Sequence, residues 1–465
     1  MERLSPFDCI SPLDYRYYAT KPAVFERLSP YLCEAARVRY EARVEAALVQ
    51  AFAARGICSE AIAAEVTRAC GAVTVEEVAL EEARVIHNTR ALVNCIRNRV
   101  AEEGRRFVHL GLTSYDVVDT ATALRLRDVT RDALIPELVT LEKHLIALAL
   151  REKATPQIGR THGQFAVPIT FGFAVAGYVS RLGTRIETLR AAAENLRGKI
   201  AGAVGAYNAL SLLLPDPMAF EVEVLARLGL KPGSHSTQIV AAEYLTDHAH
   251  AVASTLGVLA NLADDMRHLQ RSEIGEVAEA VDAAQVGSST MPHKRNPETF
   301  ETVKGIWKAF APRMLTVYLD QISEHQRDLS NSASQRFVPE LVAALAVCAM
   351  RLNRVVARLV VDREAMARNL ANAAPTVVAE PLYIVLAAAE HPDAHEAVRR
   401  LTREAEEKGL GVMQVAEARP ELRPYLDRLT AKQAQALRSP ESYLGLAAEK
   451  AEAVCKEWQE RLRLG

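Results

Sequence analysis

The stretch that decides the fold is "GSSTMPHKRNP", which runs from Gly287 to Pro297. It interrupts two long helical patterns with hydroxyl, cationic and amide side chains, whereas a plain connector needs only glycine, proline and polar filler. A serine acts as a base when backbone N–H groups and positive charge stabilise its alkoxide. The donors suited to a carboxylate are Ser288, Ser289, Lys294 and Asn296. The stretch therefore predicts a functional loop between two rigid helices.

The segments around this loop predict long helices. One runs from about Gln238 to Ala283 without proline, so at ~1.5 Å per residue it extends on the order of 70 Å. Its apolar side chains recur in alternating steps of four and three residues, which indicates a seam packed against other helices. Such a helix cannot bury its seam alone, so we expect a long bundle. Alanines along the seam permit close approach, which favours a bundle shared between subunits of a homo-oligomer.

These patterns predict an all-α chain with three helical domains. Residues 1–111 form an N-terminal helical domain with an extended arm, and residues 112–365 form the central long-helix bundle. Residues 366–465 show shorter helices and form a C-terminal domain. A helix is expected to begin near Asp116, capped by Thr113 or Ser114. This helix is expected to run towards Lys153 and to bend or break near Pro136.

Composition bounds the class of protein. Of the 465 residues, 49 % are hydrophobic, so the chain can form a large core, and the net charge of −2 argues against binding nucleic acid or a membrane surface. The seven cysteines form no C-x-x-C motif, which is typical of reduced thiols in the cytoplasm. We expect neither a signal peptide nor a membrane helix, because the first residues carry charge and proline and no apolar run approaches ~20 residues.

Four polar insertions interrupt the helical patterns: "HLGLTS" at 109–114, "GRTHGQ" at 159–164, "GSSTMPHKRNP" at 287–297 and "HQRDLSNSASQR" at 325–336. Each alone could be a cap or a turn, but together they offer complementary chemistry. His162 titrates near neutral pH and has Thr161 and Gln164 as neighbours that could orient it. A base on one loop, an acid on another and carboxylate holders between them suit β-elimination. The base removes a proton beside a carboxylate, and the acid protonates the leaving group.

No metal or cofactor is indicated. His248 and His250 are two residues apart on a predicted helix, so they point to different faces and suit a polar stripe better than a metal site. The chain has no H-E-x-x-H motif, no paired cysteines, no G-x-G-x-x-G and no Walker loop.

The loops resemble the fumarase/aspartase superfamily of lyases, whose signature is close to G-S-S-x-M-P-x-K-x-N-P. "GLTSYDVVDTA" and "GRTHGQFAVPITFG" are similar to its two other regions, so the resemblance covers nearly the whole chain. Within the superfamily, "SPLDYRYY", "MPHKRNP", "HQRDLSNSASQR" and "SPESYLG" resemble the adenylosuccinate lyase branch. The resemblance implies cleavage of adenylosuccinate to AMP and fumarate, and of a succinyl carboxamide ribotide in purine synthesis. It also implies a cytoplasmic homotetramer with each site shared between three subunits.

The resemblance assigns roles residue by residue. Ser288 would be the general base, His162 the general acid and His87 an assisting histidine, while Glu301 would orient a histidine. Lys294 would hold a succinyl carboxylate. The substrate would further contact Arg16, Tyr17, His109, Thr113, Ser114, Thr161, Gln238, Ser289, Asn296, Arg327, Ser332 and Arg336.

Four positions depart from the family pattern, namely Tyr15, Asn88, Gln326 and Gln335. Asn88 replaces an aspartate after His87, which weakens the case for a polarised histidine. None of them touches the predicted acid or base.

Two alternatives stay open. One is another lyase of the superfamily, such as a 3-carboxymuconate cycloisomerase or an argininosuccinate-type enzyme. The other is an inactive helical scaffold or binding protein.

Overall fold

The computed structural model describes residues 5, 8–280, 290–291 and 293–464. Helices dominate these residues, so the predicted all-α class is confirmed. In chain order the helices are α1 Pro22–Leu32, α2 Glu34–Ala54, α3 Glu60–Ala72, α4 Val75–Val85, α5 Asn88–Arg97, α6 Glu102–Arg105, α7 Ser114–Val129, α8 Ile135–Arg151, α9 Phe171–Glu194, α10 Pro217–Arg227, α11 Glu243–Leu269, α12 Glu298–Phe310, α13 Arg313–Leu319, α14 Asn331–Ser334, α15 Val338–Val356, α16 Arg363–Val377, α17 Ala379–Ala388, α18 Ala394–Lys408, α19 Val412–Glu417, α20 Arg423–Leu426, α21 Ala431–Arg438 and α22 Ala447–Arg461.

Short strands accompany the helices. They are β1 Pro156–Thr161, β2 Gln164–Thr170, β3 Arg197–Gly198, β4 Lys231–Pro232, β5 Val277–Ala278 and β6 Val360–Val361. Antiparallel pairs join β1 to β2 and β5 to β6, whereas β3 and β4 pair in parallel. Single turns of π-helix cover Leu13–Ala19 and Thr130–Leu134.

The chain divides into two compact units. Unit 1 comprises residues 1–138, 184–259 and 305–350, and unit 2 comprises residues 139–183, 260–304 and 351–465. Each unit is therefore assembled from three separate segments. The division into domains at residues 111 and 365 stays a prediction.

Unit 1 has a core beneath its N-terminal helices. Side chains of α2, α3 and α5 form it, among them Val49, Val66, Leu92 and Ile96, all at most 1 % exposed. Burial of each such side chain contributes roughly 1.5–3 kcal/mol to the free energy of unfolding. The core fixes α5 and the connection from α6 to α7, which carry several predicted site residues.

Unit 2 holds the β1–β2 hairpin against a helix. Ile158 of β1 is buried among Leu370, Ala373 and Val377 of α16. A further core joins α17, α18 and α19 through Leu382, Leu386, Val398, Leu401 and Val412. The shorter helices predicted towards the C-terminus are confirmed.

The chain around Pro136 behaves as predicted. Helix α7 begins at Ser114, with Thr113 as its N-cap, and ends at Val129. The π-helical turn Thr130–Leu134 separates it from α8, in which Pro136 is the second residue. Proline has no N–H to donate, so a helix that meets one must loosen or restart.

The prediction of one helix from Gln238 to Ala283 was wrong. Helix α11 covers only Glu243–Leu269, 27 residues and about 40 Å. Gly275 adopts a φ of +65°, and the N–H of Glu276 donates to the carbonyl of Leu269, so the chain turns back there. The residues that follow pair as β5 with β6.

One stretch, Asn331–Val356, is long and apolar enough to cross a membrane. In its most apolar window, 56 % of the residues are buried inside the protein, as is typical of a core helix.

Candidate active site

Unit 1 contains a cavity of about 1050 Å³ into which several polar junctions open. It is large enough for a nucleotide-sized ligand, because small-molecule sites usually span roughly 300–1,000 Å³. Six residues predicted from the sequence line it: His87, Thr113, Ser114, Gln238, Ser332 and Arg336. The structure therefore brings together residues from four chain segments that are far apart in sequence.

The N-terminus of α7 forms part of the cavity wall. Thr113 and Ser114 stand at its first positions, and the Thr113 N–H donates to the Asp116 carboxylate at 2.7 Å. The remaining free amides and the helix dipole favour a negative charge at this end. The wall is therefore suited to a carboxylate or phosphate.

A buried ion pair fixes this helix start. Asp116 and Lys199 are 0 % and 1 % exposed, and the Lys199 ammonium donates to the Asp116 carboxylate at 2.5 Å. The same carboxylate accepts the N–H groups of Ala201 at 2.9 Å and Gly202 at 3.2 Å. Sequence reasoning noted Asp116 as an acid near a helix start but missed Lys199, because nothing in its neighbourhood marks a partner 83 residues away.

His87 is the N-cap of α5. Its Nδ1 accepts the Arg90 N–H at 3.2 Å, so this nitrogen carries no proton and Nε2 is the donor. Asn88 also lines the cavity, and its amide oxygen accepts the Thr89 N–H at 2.8 Å. The ring of His87 is thus oriented by the helix backbone, whereas Asn88 supplies no carboxylate that could polarise it.

His109 pairs with a buried acid. Its Nδ1 lies 2.6 Å from a carboxylate oxygen of Glu45, and its backbone N–H donates to the other oxygen at 3.0 Å. Glu45 is fully buried, and His109 has a left-handed φ of +64°, which these two bonds help to hold. Burial alone would lower the pKa of His109, but the Glu45 carboxylate and, less strongly, Asp116 raise it above its ordinary value, against a small opposing effect of Arg90. The pair favours a cationic His109.

Two further loops are held against α7. The guanidinium of Arg327 lies 3.4 Å from the centre of the Tyr115 ring, and the Tyr115 hydroxyl is 3.5 Å from Ser332 Oγ. The Gln238 N–H donates to the carbonyl of Gln326 at 3.3 Å, which joins the two loops. Within the described part of the chain, the buried Arg327 Nη1 has no hydrogen-bond acceptor, so a donor is available for an anion.

Asp119 ties one of these loops to the helix. Its carboxylate accepts the Val240 N–H at 2.9 Å, two residues after Gln238. Burial raises the pKa of Asp119 to about 6, although the Val240 N–H and nearby cations lower it. No motif in the sequence singles out this aspartate.

Arg16 and Tyr17 lie on the π-helical turn Leu13–Ala19 of unit 1. Leu13, Asp14 and Tyr18 of this turn line the cavity, whereas Arg16 and Tyr17 are not among the lining residues. The contact of these two residues with substrate stays a prediction.

Unit 2 carries the predicted acid at the tip of its hairpin. His162 and Gly163 have φ values of +55° and +75° and form the two-residue turn between the paired Thr161 and Gln164. Two successive left-handed residues match the twist of a tight hairpin. Thr161 and His162 are both exposed to solvent. The polar insertion predicted here is therefore a β-turn rather than a break between helices.

The signature segment of unit 2 is described in part. Lys294 and Asn296 are exposed just before α12, and Glu301 is exposed on its first turn. The predicted Ser288 and Ser289 lie outside the described residues. Their roles, and that of Glu301, stay predictions.

The paired histidines of α11 have separate partners. His248 is buried with Nε2 at 2.8 Å from Thr130 Oγ1, whereas the exposed His250 has Nδ1 at 2.9 Å from the Tyr318 hydroxyl. The prediction that they point to different faces is confirmed. Among residues 5, 8–280, 290–291 and 293–464, no three His, Cys, Asp or Glu side chains group as a metal site.

Comparisons with known proteins identify the family. The family described as "Lyase" matches residues 15–309, and the family described as "Adenylosuccinate lyase C-terminal" matches residues 323–433. The adenylosuccinate lyase of Pyrococcus horikoshii is 34 % identical over 98 % of this chain and 99 % of its own length. The chain belongs to the adenylosuccinate lyase family. This family is a branch of the fumarase/aspartase superfamily that the sequence motifs indicate.

Other superfamily members are also similar. The N-acetyl-S-(2-succino)cysteine lyase of Enterococcus italicus is 30 % identical over 91 % of this chain and 92 % of its own length. The solved structure of the 3-carboxy-cis,cis-muconate lactonizing enzyme from Pseudomonas putida superposes with a TM-score of 0.83 at 26 % identity, covering 97 % of this chain and 99 % of that one. The adenylosuccinate lyase fold is therefore shared with relatives named for different substrates.

Replacement of Glu45 tests the charge of His109. In Glu45→Gln the neutral amide no longer stabilises the imidazolium, so we expect the His109 pKa to fall below its wild-type value. The pKa is measured by NMR titration of the ring, assigned with His109→Gln. An unchanged His109 pKa in Glu45→Gln would contradict the pairing.

The same pair predicts a pH dependence of stability. The folded-state pKa of His109 lies above the unfolded value of about 6.5. The stabilisation of the folded state by the charged His109–Glu45 pair is therefore fully present below a pH of about 6.5, and it is lost as the pH rises through the folded-state pKa. The difference in unfolding free energy between wild type and Glu45→Gln should therefore shrink as the pH rises above neutrality, measured by urea denaturation.

Proposed function

We propose that the protein is a carbon–nitrogen lyase that eliminates fumarate from adenylosuccinate to give AMP, and from the succinyl carboxamide ribotide intermediate of purine biosynthesis. The observation that carries the proposal is the match of the adenylosuccinate lyase C-terminal family to residues 323–433. This match includes Arg327, Ser332 and Arg336, the segment expected to bind a nucleotide monophosphate. No cofactor is required for this reaction.

The substrate would carry one phosphate and two carboxylates. Near the α7 N-terminus, Ser332 and Arg336 line the cavity and the buried Arg327 Nη1 offers a free donor, which supports phosphate binding there. His109 is not among the residues that line the cavity, and its place near the phosphate is proposed from the family resemblance. Arg16 and Tyr17 are proposed to contact the phosphate from the arm.

The succinyl group would be held by hydroxyl, amide and ammonium donors. Those proposed are Thr113, Ser114, Thr161, Gln238, Ser289, Lys294 and Asn296. A bound carboxylate increases the acidity of the neighbouring C–H bond when positive charge stabilises the developing aci-carboxylate.

The chemistry is a β-elimination. Ser288 as an alkoxide takes the proton from the carbon beside one carboxylate, and the C–H electron pair forms the new C=C bond. The C–N bond breaks, and His162 donates a proton to the departing nitrogen. Fumarate and the purine amine are the products, while His87 and Glu301 are proposed to support the charge and orientation of the acid.

A second candidate function is supported by a specific likeness. The 3-carboxymuconate lactonizing enzyme has the same fold, and the sequence motif "MPHKRNP" suits that group as well. The same acid and base would then act on a tricarboxylate without a phosphate. A cycloisomerase would not need a phosphate site at Arg327 and Arg336.

The purified protein tests both candidates in an ultraviolet assay. Adenylosuccinate at saturating concentration should be converted to AMP and fumarate with a kcat in the range of about 1–10³ s⁻¹. The panel adds 3-carboxymuconate, argininosuccinate and N-acetyl-S-(2-succino)cysteine. No AMP at micromolar enzyme would refute the substrate assignment, and turnover of another panel member would replace it.

The role of the base is tested by Ser288→Ala. A general base acts in the transition state, so we expect kcat to fall by about 10²- to 10⁴-fold with little change in substrate binding. Ser289→Ala in the same stretch is the matched control and should raise KM more than it lowers kcat. A near-normal kcat in Ser288→Ala would exclude Ser288 as the base.

We propose further that the protein is a cytoplasmic homotetramer in which each site takes residues from three subunits. In unit 1, Leu315 and Leu319 lie one turn apart on α13 and are 66 % and 60 % exposed, and Ile322 just after the helix is 77 % exposed, which supports an apolar contact surface. Light scattering should give four times the monomer mass, and Leu315→Glu with Leu319→Glu should give a smaller species of reduced activity. A fully active wild-type monomer would contradict the proposal.

A further inference from the structure

Glu276 is a buried carboxylate whose hydrogen bonds all come from neighbouring side chains of unit 2. It is 0 % exposed, and its oxygens accept from Arg160 at 2.8 and 3.3 Å, from Gln157 at 2.6 Å and from Asn369 at 2.8 Å. A buried carboxylate is costly unless it is paired and fully hydrogen-bonded. Its position and those of its three donors are therefore mutually fixed.

Two of these donors belong to the strand that carries the predicted acid. Gln157 and Arg160 lie on β1, and Arg160 is two residues before His162. The pairing of β1 with β2 shifts register between Ile158 and Arg160. The hydrogen bonds of the β-ladder are therefore irregular at the end of β1 next to the turn. Glu276 supplies the missing anchor from outside the hairpin.

Three residues further on, Glu279 anchors the predicted carboxylate holders. Its carboxylate accepts the N–H groups of Thr299 at 3.2 Å and Phe300 at 2.9 Å, at the start of α12. It thus satisfies amides that have no acceptor within the helix. Burial raises the pKa of Glu279, while these amides lower it.

Gln270 completes this anchor. Its side-chain oxygen accepts the Glu279 N–H at 3.0 Å, and its amide donates to the Arg295 carbonyl at 3.3 Å. Arg295 lies between Lys294 and Asn296, so the backbone that carries both predicted carboxylate holders is fixed from this side.

We propose that Glu276 and Glu279 are positioning residues for the elimination. One short segment, with β5 between the two acids, holds the His162 hairpin through Glu276 and the Lys294–Asn296 segment through Glu279. Both anchors touch backbone or supporting side chains rather than substrate. The inference rests on the proposed function, because it assigns a catalytic purpose to the positions that the anchors fix.

The kinetic test is Glu276→Gln. An amide offers one acceptor oxygen where the carboxylate offers two, and its NH₂ would face the donors of Arg160 or Asn369. Because a displacement of about 1 Å costs on the order of 10²-fold in rate, we expect kcat to fall by about 10- to 100-fold, with KM changed less than about threefold. Glu279→Gln should give a smaller fall in kcat and a larger rise in KM, because it displaces residues predicted to hold the substrate.

Glu152→Gln is the matched control. Glu152 is equally buried in unit 2 and also accepts from an arginine, Arg363, at 2.9 and 3.0 Å, but its partner Thr155 lies at the other end of the hairpin from His162. We expect a comparable loss of thermal stability with kcat within about twofold of wild type. Equal losses of kcat in Glu152→Gln and Glu276→Gln would overturn the positioning role.

Hydrogen–deuterium exchange supplies a readout that does not need activity. Peptides covering residues 156–170 should exchange at least about tenfold faster in Glu276→Gln, and those covering 293–300 in Glu279→Gln, with neither change in Glu152→Gln. Unchanged exchange in both variants would refute the anchors. Inactive wild type with the expected exchange pattern would refute the proposed function and leave the anchors standing.

Discussion

The site in unit 1 depends on the buried ion pair between Asp116 and Lys199. An isolated charge at either position would be strongly unfavourable, so the two residues, which lie in different chain segments, must meet. Their meeting fixes the first turn of α7 and the backbone at Ala201 and Gly202 at the same time. Thr113 and Ser114, which line the cavity, are then held in one orientation, which is the requirement for binding an anion without reorganisation.

The same physical device recurs at the other polar junctions. Glu45 fixes His109, Glu276 fixes the β1–β2 hairpin and Glu279 fixes the start of α12, each by accepting hydrogen bonds inside the protein. Helical packing alone cannot place a junction, because its backbone groups have no helical partners. Glu142 shows the contrast. Within the described part of the chain its oxygens have no hydrogen-bond partner, and burial raises its pKa to about 9, which favours the neutral acid.

The helical class, the start of α7 and the break at Pro136 could be predicted because periodicity, capping residues and proline act over a few residues. The His162 turn was missed as a hairpin because the six residues of β1 and the seven of β2 carry no strict alternation, and the turn uses a histidine in a left-handed conformation. The length of α11 was overestimated because its apolar pattern continues into β5, where strand pairing to Val360–Val361 takes over. Long-range partners such as Lys199 and Glu276 leave no local signal, since each is defined by a contact about 80 or more residues away.

Charge explains how such a chain can recognise a polyanion without being basic. With a net charge of −2 there is no long-range attraction to concentrate an anionic substrate. The cations near the cavity are instead paired with neighbours: Arg37 donates to Glu34 and Glu41, and Arg125 donates to the carbonyls of Tyr31 and Leu32. These hydrogen bonds hold the two arginines in the wall of the cavity, so the arginines serve the structure rather than attract ligands. In the proposed function, recognition of the anion rests instead on short-range donors at the α7 N-terminus, Arg327 and Arg336.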